Sequence, residues 1–401
     1  PYGLVRFGVA PDHQKIKTVT RAYERTAKKP NVRFYGNVKF GRDVSLDEMK
    51  QYYHQIIFTT GAQSDRRLGI PGEDLPGSHP ATEFVAWYNG HPEFKDCRFD
   101  LSQESVAVVG IGNVAMDVAR ILCRTRDELL KTDIADYALE ALTNSNVKTV
   151  YILGRRGPAQ AKFTNPEIKE LGEMEDADIY VPPADAELDP LSKQALEESN
   201  DRAMMRNVEI VQSYTQPPEN GKSRRLIMRF LVSPVELIGD EKTGITAMKL
   251  VKNELYATEA GTLRPRATDQ FEEIPVGLVF RSVGYRGVPL PGVPFYDAWG
   301  VILNERGRVL DPDSQQPVTG LYTAGWIKRG PSGVIGTNKP DAVETVTCML
   351  EDLANGQTLS PEKPGVEDAA AFIKQKQPNF ITFDDWLKLD EMEVARGKEQ
   401  G

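Results

Sequence analysis

Cysteine is scarce, and what there is falls at Cys97, Cys123 and Cys348 in 401 residues. The spacing makes no C-x-x-C pair and no metal-type cluster, which excludes a dithiol redox motif and a thiolate-held metal built from these positions. Without a disulfide framework the chain reads as a protein of a reducing, cytoplasmic setting. Cys123 sits among apolar residues at helical spacing and reads as core. Long apolar runs are missing too, so no stretch of this sequence suits a helix that spans a bilayer. Positive charge is in the minority, with 49 Lys and Arg against 58 Asp and Glu and a net charge of −9. That balance argues against nucleic acid as the general partner, while leaving room for a local basic patch. The opening PYGLVRFGVAPDHQKIK has neither targeting character nor an initiating Met. The expectation is that it lies inside a domain whose beginning is elsewhere.

What is present begins with 40% hydrophobic residues, enough for globular cores, over a length that favours two domains. The most informative stretch is Ser105–Pro158. Ser105–Val109 is β-branched and suits a buried parallel strand. It runs into Gly110-Ile111-Gly112-Asn113-Val114-Ala115, a G-x-G-x-x-A turn, after which apolar residues recur at helical spacing as far as Cys123. Gly110 permits the turn, Gly112 lets backbone approach a pyrophosphate, and Ala115 lets the helix pack closely on its strand. The anion would sit at the positive end of that helix. A second strand, Lys148–Leu153, ends in Gly154-Arg155-Arg156-Gly157-Pro158. Where NAD enzymes place an acid for the ribose 2′-hydroxyl, two arginines suit a 2′-phosphate, so the motif points to NADP(H). The alternative is an ordinary solvated loop. Arg155 follows Gly110 by 45 residues, where about 20 is usual; Thr125–Asn146 reads as an extension of the helix plus a second helical piece.

Elsewhere, Lys15–Lys28 suits an amphipathic helix and Val32–Val38 a strand. Ser45 and Glu48 form a capping-box pattern for a helix through His54. Gln55–Thr60 reads as a strand feeding Thr60-Gly61-Ala62-Gln63, a turn small enough for backbone to approach a flavin. Two Gly/Pro-rich stretches, Ser64–Pro80 and Arg281–Phe295, read as crossings between domains. Ala81–Asn89 suits a short helix, and Pro182–Leu191 a proline-rich acidic connector. Leu226–Ser233, Gly244–Glu254 and Ile274–Val283 read as strands of an antiparallel excursion, and Gly320–Trp326 as a last buried strand. After it, Gly330, Gly333 and Gly336 make a loop that delivers a helix starting at Pro340 and ending near Asn355. The tail from Phe380, with Trp386, suits a surface helix. No internal repeat is visible.

PYGLVRFGVAPDH, TTGAQSDRRLGIPGEDLPG, GIGNVAMDVARIL, TDIADYALE, GRRGPAQAKFTNPEIKEL, RFLVSPVE, RSVGYRGVPLPG and GWIKRGPSGVIGTNK occur in this order. Together they resemble the adrenodoxin reductase family, in particular its bacterial, actinobacterial-type NADPH–ferredoxin reductases, over nearly the whole chain. The resemblance implies an α/β fold of two dinucleotide-binding, Rossmann-like domains of glutathione-reductase type. An NADP domain (residues 65–289) would be inserted in an FAD domain made of residues 1–64 and 290–401. It implies pyrophosphate contacts at Gly110, Gly112, Asn113 and Val114, and a 2′-phosphate clamp at Arg155 and Arg156. It places His13 and Glu167 near the nicotinamide and flavin as orienting, electrostatic groups, and Gly61, Trp326, Gly333, Val334 and Ile335 against the flavin. For His13 taken alone a satisfied structural histidine is the alternative, and for Trp326 core packing.

The implied activity is an FAD-dependent, NADPH-specific reduction of a ferredoxin-type iron–sulfur protein. Two rivals remain: a flavin module of a glutamate-synthase-like complex, usually preceded by a cysteine cluster, and a non-catalytic NADP-binding protein. Members of the family open with a strand, glycine turn and helix that grip the FAD pyrophosphate, and this chain begins after that unit. Either the segment precedes the sequence given or the protein lacks it; the expectation is weak FAD binding by these 401 residues. Ferredoxins are generally acidic, so the partner's docking face is expected at the densest basic group, Lys222, Arg224, Arg225 and Arg229. The alternative there is a charged strand edge that discourages pairing.

Overall fold

In the computed structural model, which describes residues 1–218, 221–333 and 335–400, Ser105–Val109 is a strand whose last four residues are all buried. A strand buried on both faces needs neighbours on either side, and it has them. Six parallel strands lie in the order Ser78–Pro80, Leu278–Arg281, Ser105–Val109, Thr149–Leu153, Arg224–Arg229, Ala177–Tyr180. On one face, Phe84 and Tyr88 of the helix Ala81–Tyr88 and Met116, Ile121 and Leu122 of the helix Asn113–Cys123 close over Val106, Val108, Ile152 and Met228. Each such side chain contributes about 1.5–3 kcal/mol by leaving water. On the other face lies an antiparallel sheet of Val232–Asp240, Gly244–Ala257 and Leu263–Pro275. Its Met248 and Leu250 pack with Ala107, Val109 and Val279.

The chain divides into two compact units: one holds Tyr2–Val19 and Asp65–Val283, the other Pro1, Thr20–Ser64 and the residues from Gly284 onward. In the second unit, Ile56–Phe58 pairs in parallel with Pro317–Thr323, followed by antiparallel Arg308–Leu310 and Asn304–Glu305. Ile56, Phe58, Ile302, Val309, Leu321 and Ile327 form its core. The helix Asn338–Ala354 is tied to the sheet through Thr345, whose hydroxyl donates to the Thr323 carbonyl at 2.9 Å. The helix Val366–Lys376 stacks Phe372 on Tyr52, with ring centroids 4.5 Å apart. Trp386, in the terminal helix Phe383–Gln400, is buried. Among the described residues no helix is long and apolar enough to cross a membrane.

The structure departs from the sequence-based expectations in several elements. Lys15–Lys28 is two helices, Gln14–Lys17 and Thr20–Ala27; the Thr18 hydroxyl turns back to the Lys15 carbonyl at 2.7 Å, a local bond that competes with continuation. Val32–Val38 forms no strand, only an isolated bridge at Gly36. The helix after the glycine turn is not extended beyond Cys123, because Arg124 is extended and Thr125 with Glu128 caps a new helix, Arg126–Leu130. Asp136–Thr143 follows it. Leu226–Ser233 is not one antiparallel strand: Arg224–Arg229 lies inside the parallel sheet, and the antiparallel sheet starts at Val232. Likewise Ile274–Val283 spans the end of one antiparallel strand and the parallel strand Leu278–Arg281. Pro182–Leu191 is a short helix, Pro183–Ala186, and the start of another, Pro190–Ser199. The last strand stops at Thr323, and Trp326 opens a helix instead.

Candidate functional site

Two constellations carry the site residues, one in each unit. The first is the glycine turn. Gly110 has φ +137°, and a Cβ there would collide with the Ser282 carbonyl oxygen. Only glycine lets the chain pass so close to the end of the neighbouring strand. Gly112 faces open space, with nothing within 4 Å of where a Cβ would stand. It is the N-cap of the helix Asn113–Cys123 and, being glycine, places no capping side chain over the first turn. That leaves helix-terminal N–H groups for an anion. The turn is braced from behind: Asn113 Oδ1 accepts from the Thr164 N–H at 3.0 Å, and the Ile111 carbonyl accepts from the Lys162 N–H at 2.9 Å. Val114 packs on the core and Ala115 is buried in it.

Arg155 and Arg156 follow the adjacent strand. Their backbone is fixed, the Arg155 carbonyl by Asn253 Nδ2 at 3.0 Å and the Arg156 carbonyl by the Leu231 N–H at 3.2 Å. Arg155 is exposed and Arg156 half-buried. Burial, and then the charge of Arg155, push the Arg156 guanidinium below its ordinary value. Among the described residues no carboxylate pairs with either one. Two fixed, adjacent and unpaired cations beside a turn with free N–H groups fit a phosphorylated dinucleotide.

Behind this turn, the buried flank of the same helix holds a cluster of charges. Arg120 is fully buried; it donates to Asp12 from Nε at 2.6 Å and from Nη2 at 2.9 Å, and to Asp117 at 2.7 Å. Asp12 also accepts from Arg124 at 2.7 Å, and Arg124 from its other side meets Glu128 at 2.6 Å. His13, next to Asp12, bonds Glu170 through Nε2 at 2.8 Å and lies 3.8 Å from both Glu167 and Asp117. Burial pulls the His13 imidazole down, but the Glu170 bond and the charges of Asp117 and Asp12 outweigh it, and the net direction is up. Glu167 is pushed up by burial first and by the Asp117 charge second. Enclosure pushes Asp117 up as well, against the pull of Arg120 and His13. Asp12 stays well below the carboxylate range: burial opposes this, and the bond and charge of Arg120 prevail. One atom each of His13, Asp117 and Glu167 falls within 4.8 Å of the others, yet the positive charge at this spot is already supplied by Arg120.

The expected pair of His13 and Glu167 is thus brought together, but Asp12, Asp117, Arg120 and Glu170 were not foreseen. One signal was available: Asp117 and Arg120 stand three apart on an otherwise apolar helix, where charges are seldom buried unless paired.

In the other unit, Gly61 and Trp326 follow the C-terminal ends of adjacent parallel strands, Ile56–Phe58 and Pro317–Thr323, the end at which such sheets receive ligands. Gly61 has φ +72° and open space on its Cβ side. Trp326 lies flat against Tyr285, centroids 5.7 Å apart and planes 14° apart, and its Nε1 donates to the Ser332 carbonyl at 3.2 Å. Arg329 donates to the Ser332 carbonyl at 2.7 Å and to Asn338 Oδ1 at 2.7 Å, so it straps the glycine loop to the helix Trp326–Arg329. Gly333 has φ +75° over Thr337, and Ile335 begins the short 3-10 turn that leads into the helix Asn338–Ala354. That helix starts two residues before the expected Pro340. Val334 lies outside the described residues. Buried Lys328 ties Asp341 at 3.1 Å and Glu344 at 2.7 Å, which anchors the first turn. A half-buried indole and backbone turns at two strand ends fit a flat aromatic cofactor.

The four basic residues do not form one free patch. Arg224 gives its donors to the carbonyls of Cys123, Arg124 and Val147, and so closes the end of the helix Asn113–Cys123. Lys222 caps the Met174 carbonyl at 2.6 Å. Arg229 pairs with Asp185 at 2.6 Å and Glu272 at 2.7 Å. Arg225 is exposed and has no ion pair among the described residues. Their strand is interior to the sheet, so edge protection is not its role.

These features define a two-unit α/β protein with a glycine turn suited to a dinucleotide phosphate and strand ends suited to a flat cofactor. The comparisons narrow that class. No protein-family model matches the chain. It is 43% identical over 405 residues to the NADPH-ferredoxin reductase FprA of Mycobacterium tuberculosis, spanning 100% of this chain and 86% of the relative. It is 41% identical over 418 residues to the mitochondrial NADPH:adrenodoxin oxidoreductase of Bos taurus, spanning 100% of this chain and 81% of the relative. The solved structure of Mycobacterium tuberculosis FprA in complex with NADPH superposes with a TM-score of 0.93 at 43% identity, covering 100% of this chain and 86% of that one. The chain belongs to the adrenodoxin reductase family, on its NADPH–ferredoxin reductase side.

Proposed function

We propose that this protein is an FAD-dependent oxidoreductase that takes a hydride from NADPH and passes electrons singly to a ferredoxin-type iron–sulfur protein. The observation that carries the nucleotide assignment is the unpaired Arg155–Arg156 couple beside the open turn at Gly112. The unit built on the six-stranded sheet, which holds Tyr2–Val19 and Asp65–Val283, takes NADP(H), and the unit holding Gly61 and Trp326 takes the flavin. FAD, when bound, supplies the conversion of two-electron into one-electron chemistry.

The residues supply position and field. Gly110, Gly112, Asn113 and Val114 hold the pyrophosphate on helix N–H groups, and the arginines read the 2′-phosphate. The bond to Glu170 raises the His13 imidazole against the pull of burial, and burial raises the Glu167 carboxyl. Together they offer fixed polar groups for the polar end of a nicotinamide, and hydride transfer needs such alignment more than proton removal. Gly61, Trp326, Gly333 and Ile335 bound the flavin plane. Of the basic group proposed for the partner (Lys222, Arg224, Arg225, Arg229), the geometry favours Arg225, since the others are held by partners within the fold.

Calorimetry with NADP⁺ and NAD⁺, followed by NADPH-dependent ferricyanide reduction with FAD present, tests this reading. A strong preference for NADP⁺ and flavin-dependent turnover are expected. Equal affinity for the two nucleotides, or turnover indifferent to FAD, would overturn it.

A further inference from the structure

The His13 segment and the helix that carries the glycine turn are far apart in sequence, and one buried side chain joins them. We propose that Arg120 is a positioning residue for hydride transfer: clamped on Asp12 and Asp117, it fixes His13 against Glu167 and Glu170. This inference rests on the reductase reading above, which places the nicotinamide at His13 and Glu167.

The geometry is specific. All three donor contacts of Arg120 go to two carboxylates, one on its own helix and one beside His13. Its remaining nitrogen, Nη1, is buried with no hydrogen-bond partner and lies 3.7 Å from Glu170, the acid that holds the imidazole. The guanidinium therefore touches every carboxylate that sets the His13 orientation, except Glu167 itself. A planar, forked cation does this and a lysine cannot, because one ammonium cannot serve Asp12 bidentately and reach Asp117 together. The charges facing His13 come from three directions: Asp12 in its own segment, Asp117 and Arg120 with Arg124 on the long helix, and Glu167 and Glu170 on the helix Asn165–Glu170. Glu128 balances Arg124 from the far side. Arg120→Lys leaves these charges in place but lets the imidazole drift from Glu170.

The test uses the full chain with two variants, Arg120→Lys and Asp12→Asn. NMR titration of the imidazoles reads His13 directly, since the sequence has four histidines and His13→Gln assigns its signal. In both variants the His13 midpoint should fall toward the 6.5 of a free imidazole. With NADPH and ferricyanide, kcat should drop about tenfold while KM for NADPH stays nearly constant, as expected for lost alignment. If Arg120→Lys does not fold, Arg120→Gln decides: the charge of Arg120 lowers His13, so its removal alone would raise the midpoint, and a fall reports the lost clamp. A folded variant with the wild-type His13 midpoint and the wild-type kcat would overturn the proposal, and a lowered melting temperature would not rescue it. The titration needs no turnover. A wild-type chain inert toward NADPH would count against the reductase reading, while the midpoint still decides the role of Arg120.

Discussion

Arg155 and Arg156 are like charges side by side, and the fold offers them no carboxylate among the described residues. Folding therefore costs Arg156 some of its preference for the charged form, by burial first and by Arg155 second. An arrangement that opposes folding in the free protein is a poor structural device and a good anion site. Replacing both with Gln should leave the melting temperature of the nucleotide-free protein equal or slightly raised. The preference for NADPH over NADH should fall by about 100-fold or more, since each charge-assisted bond to a phosphate is worth about 1.5–3 kcal/mol. Steady-state kinetics with both nucleotides, beside melting curves, checks both halves; an unchanged NADPH/NADH ratio sinks the assignment. His13 gives a second outcome at this scale. Its folded value lies above 6.5, because the Glu170 bond outweighs burial. Stability from that pair is therefore complete below pH 6.5 and fades as pH rises through the raised folded value. Glu170→Gln should flatten this loss, and chemical denaturation across neutral pH measures it. The same loss with pH in wild type and variant would mean that the pair contributes nothing.

At the scale of elements, the strand–turn–helix from Ser105 to Cys123 was legible because each of its parts obeys a local rule: a continuous β-branched run, small residues at the turn, apolar spacing of a helix. The turn's two glycines serve different ends, which only the structure separates. Gly110→Ala meets both a left-handed backbone and the Ser282 carbonyl, and should cost about 3 kcal/mol of stability. Gly112→Ala meets no protein atom, so melting should be unchanged while NADP⁺ affinity drops, because the new methyl enters the space left for phosphate. Equal effects of the two substitutions on melting would contradict this division. What escaped the sequence reading has physical reasons as well. The strand Arg224–Arg229 carries three arginines in six residues, which looks like surface, yet two of them spend their charge on carbonyls and acids of other elements. Pro190 with Asp189 ahead of it signals a helix start, and Asp189 does accept the Ser192 N–H at 3.0 Å; the proline-rich reading hid it. The cluster around His13 was not legible in any local pattern, since Arg120 meets Asp12 across 108 positions.

For the whole molecule the question is how a chain of net charge −9 meets an acidic iron–sulfur protein. At low salt the Debye length is about 30 Å and the like charges repel over the full approach; at about 1 M it is about 3 Å and the effect is gone. A docking face must therefore be a local exception to the overall charge. Arg225 is exposed, has no ion pair among the described residues, and qualifies. Arg229, on the same side of the strand, does not: reversing it would strand Asp185 beside a new negative charge and should cost about 3 kcal/mol or more of stability, whatever happens at the partner. A charge-reversal test of the pair would confuse lost docking with lost fold, so Arg225→Glu alone is the informative variant. Its melting temperature should be unchanged, and its kcat/KM for an acidic ferredoxin should fall several-fold at low ionic strength. That difference should shrink as salt is added, while ferricyanide reduction stays as in wild type. Stopped-flow reduction of both acceptors over a salt series measures this. If the two acceptors respond alike, or neither responds, electrons leave by a face that does not include Arg225.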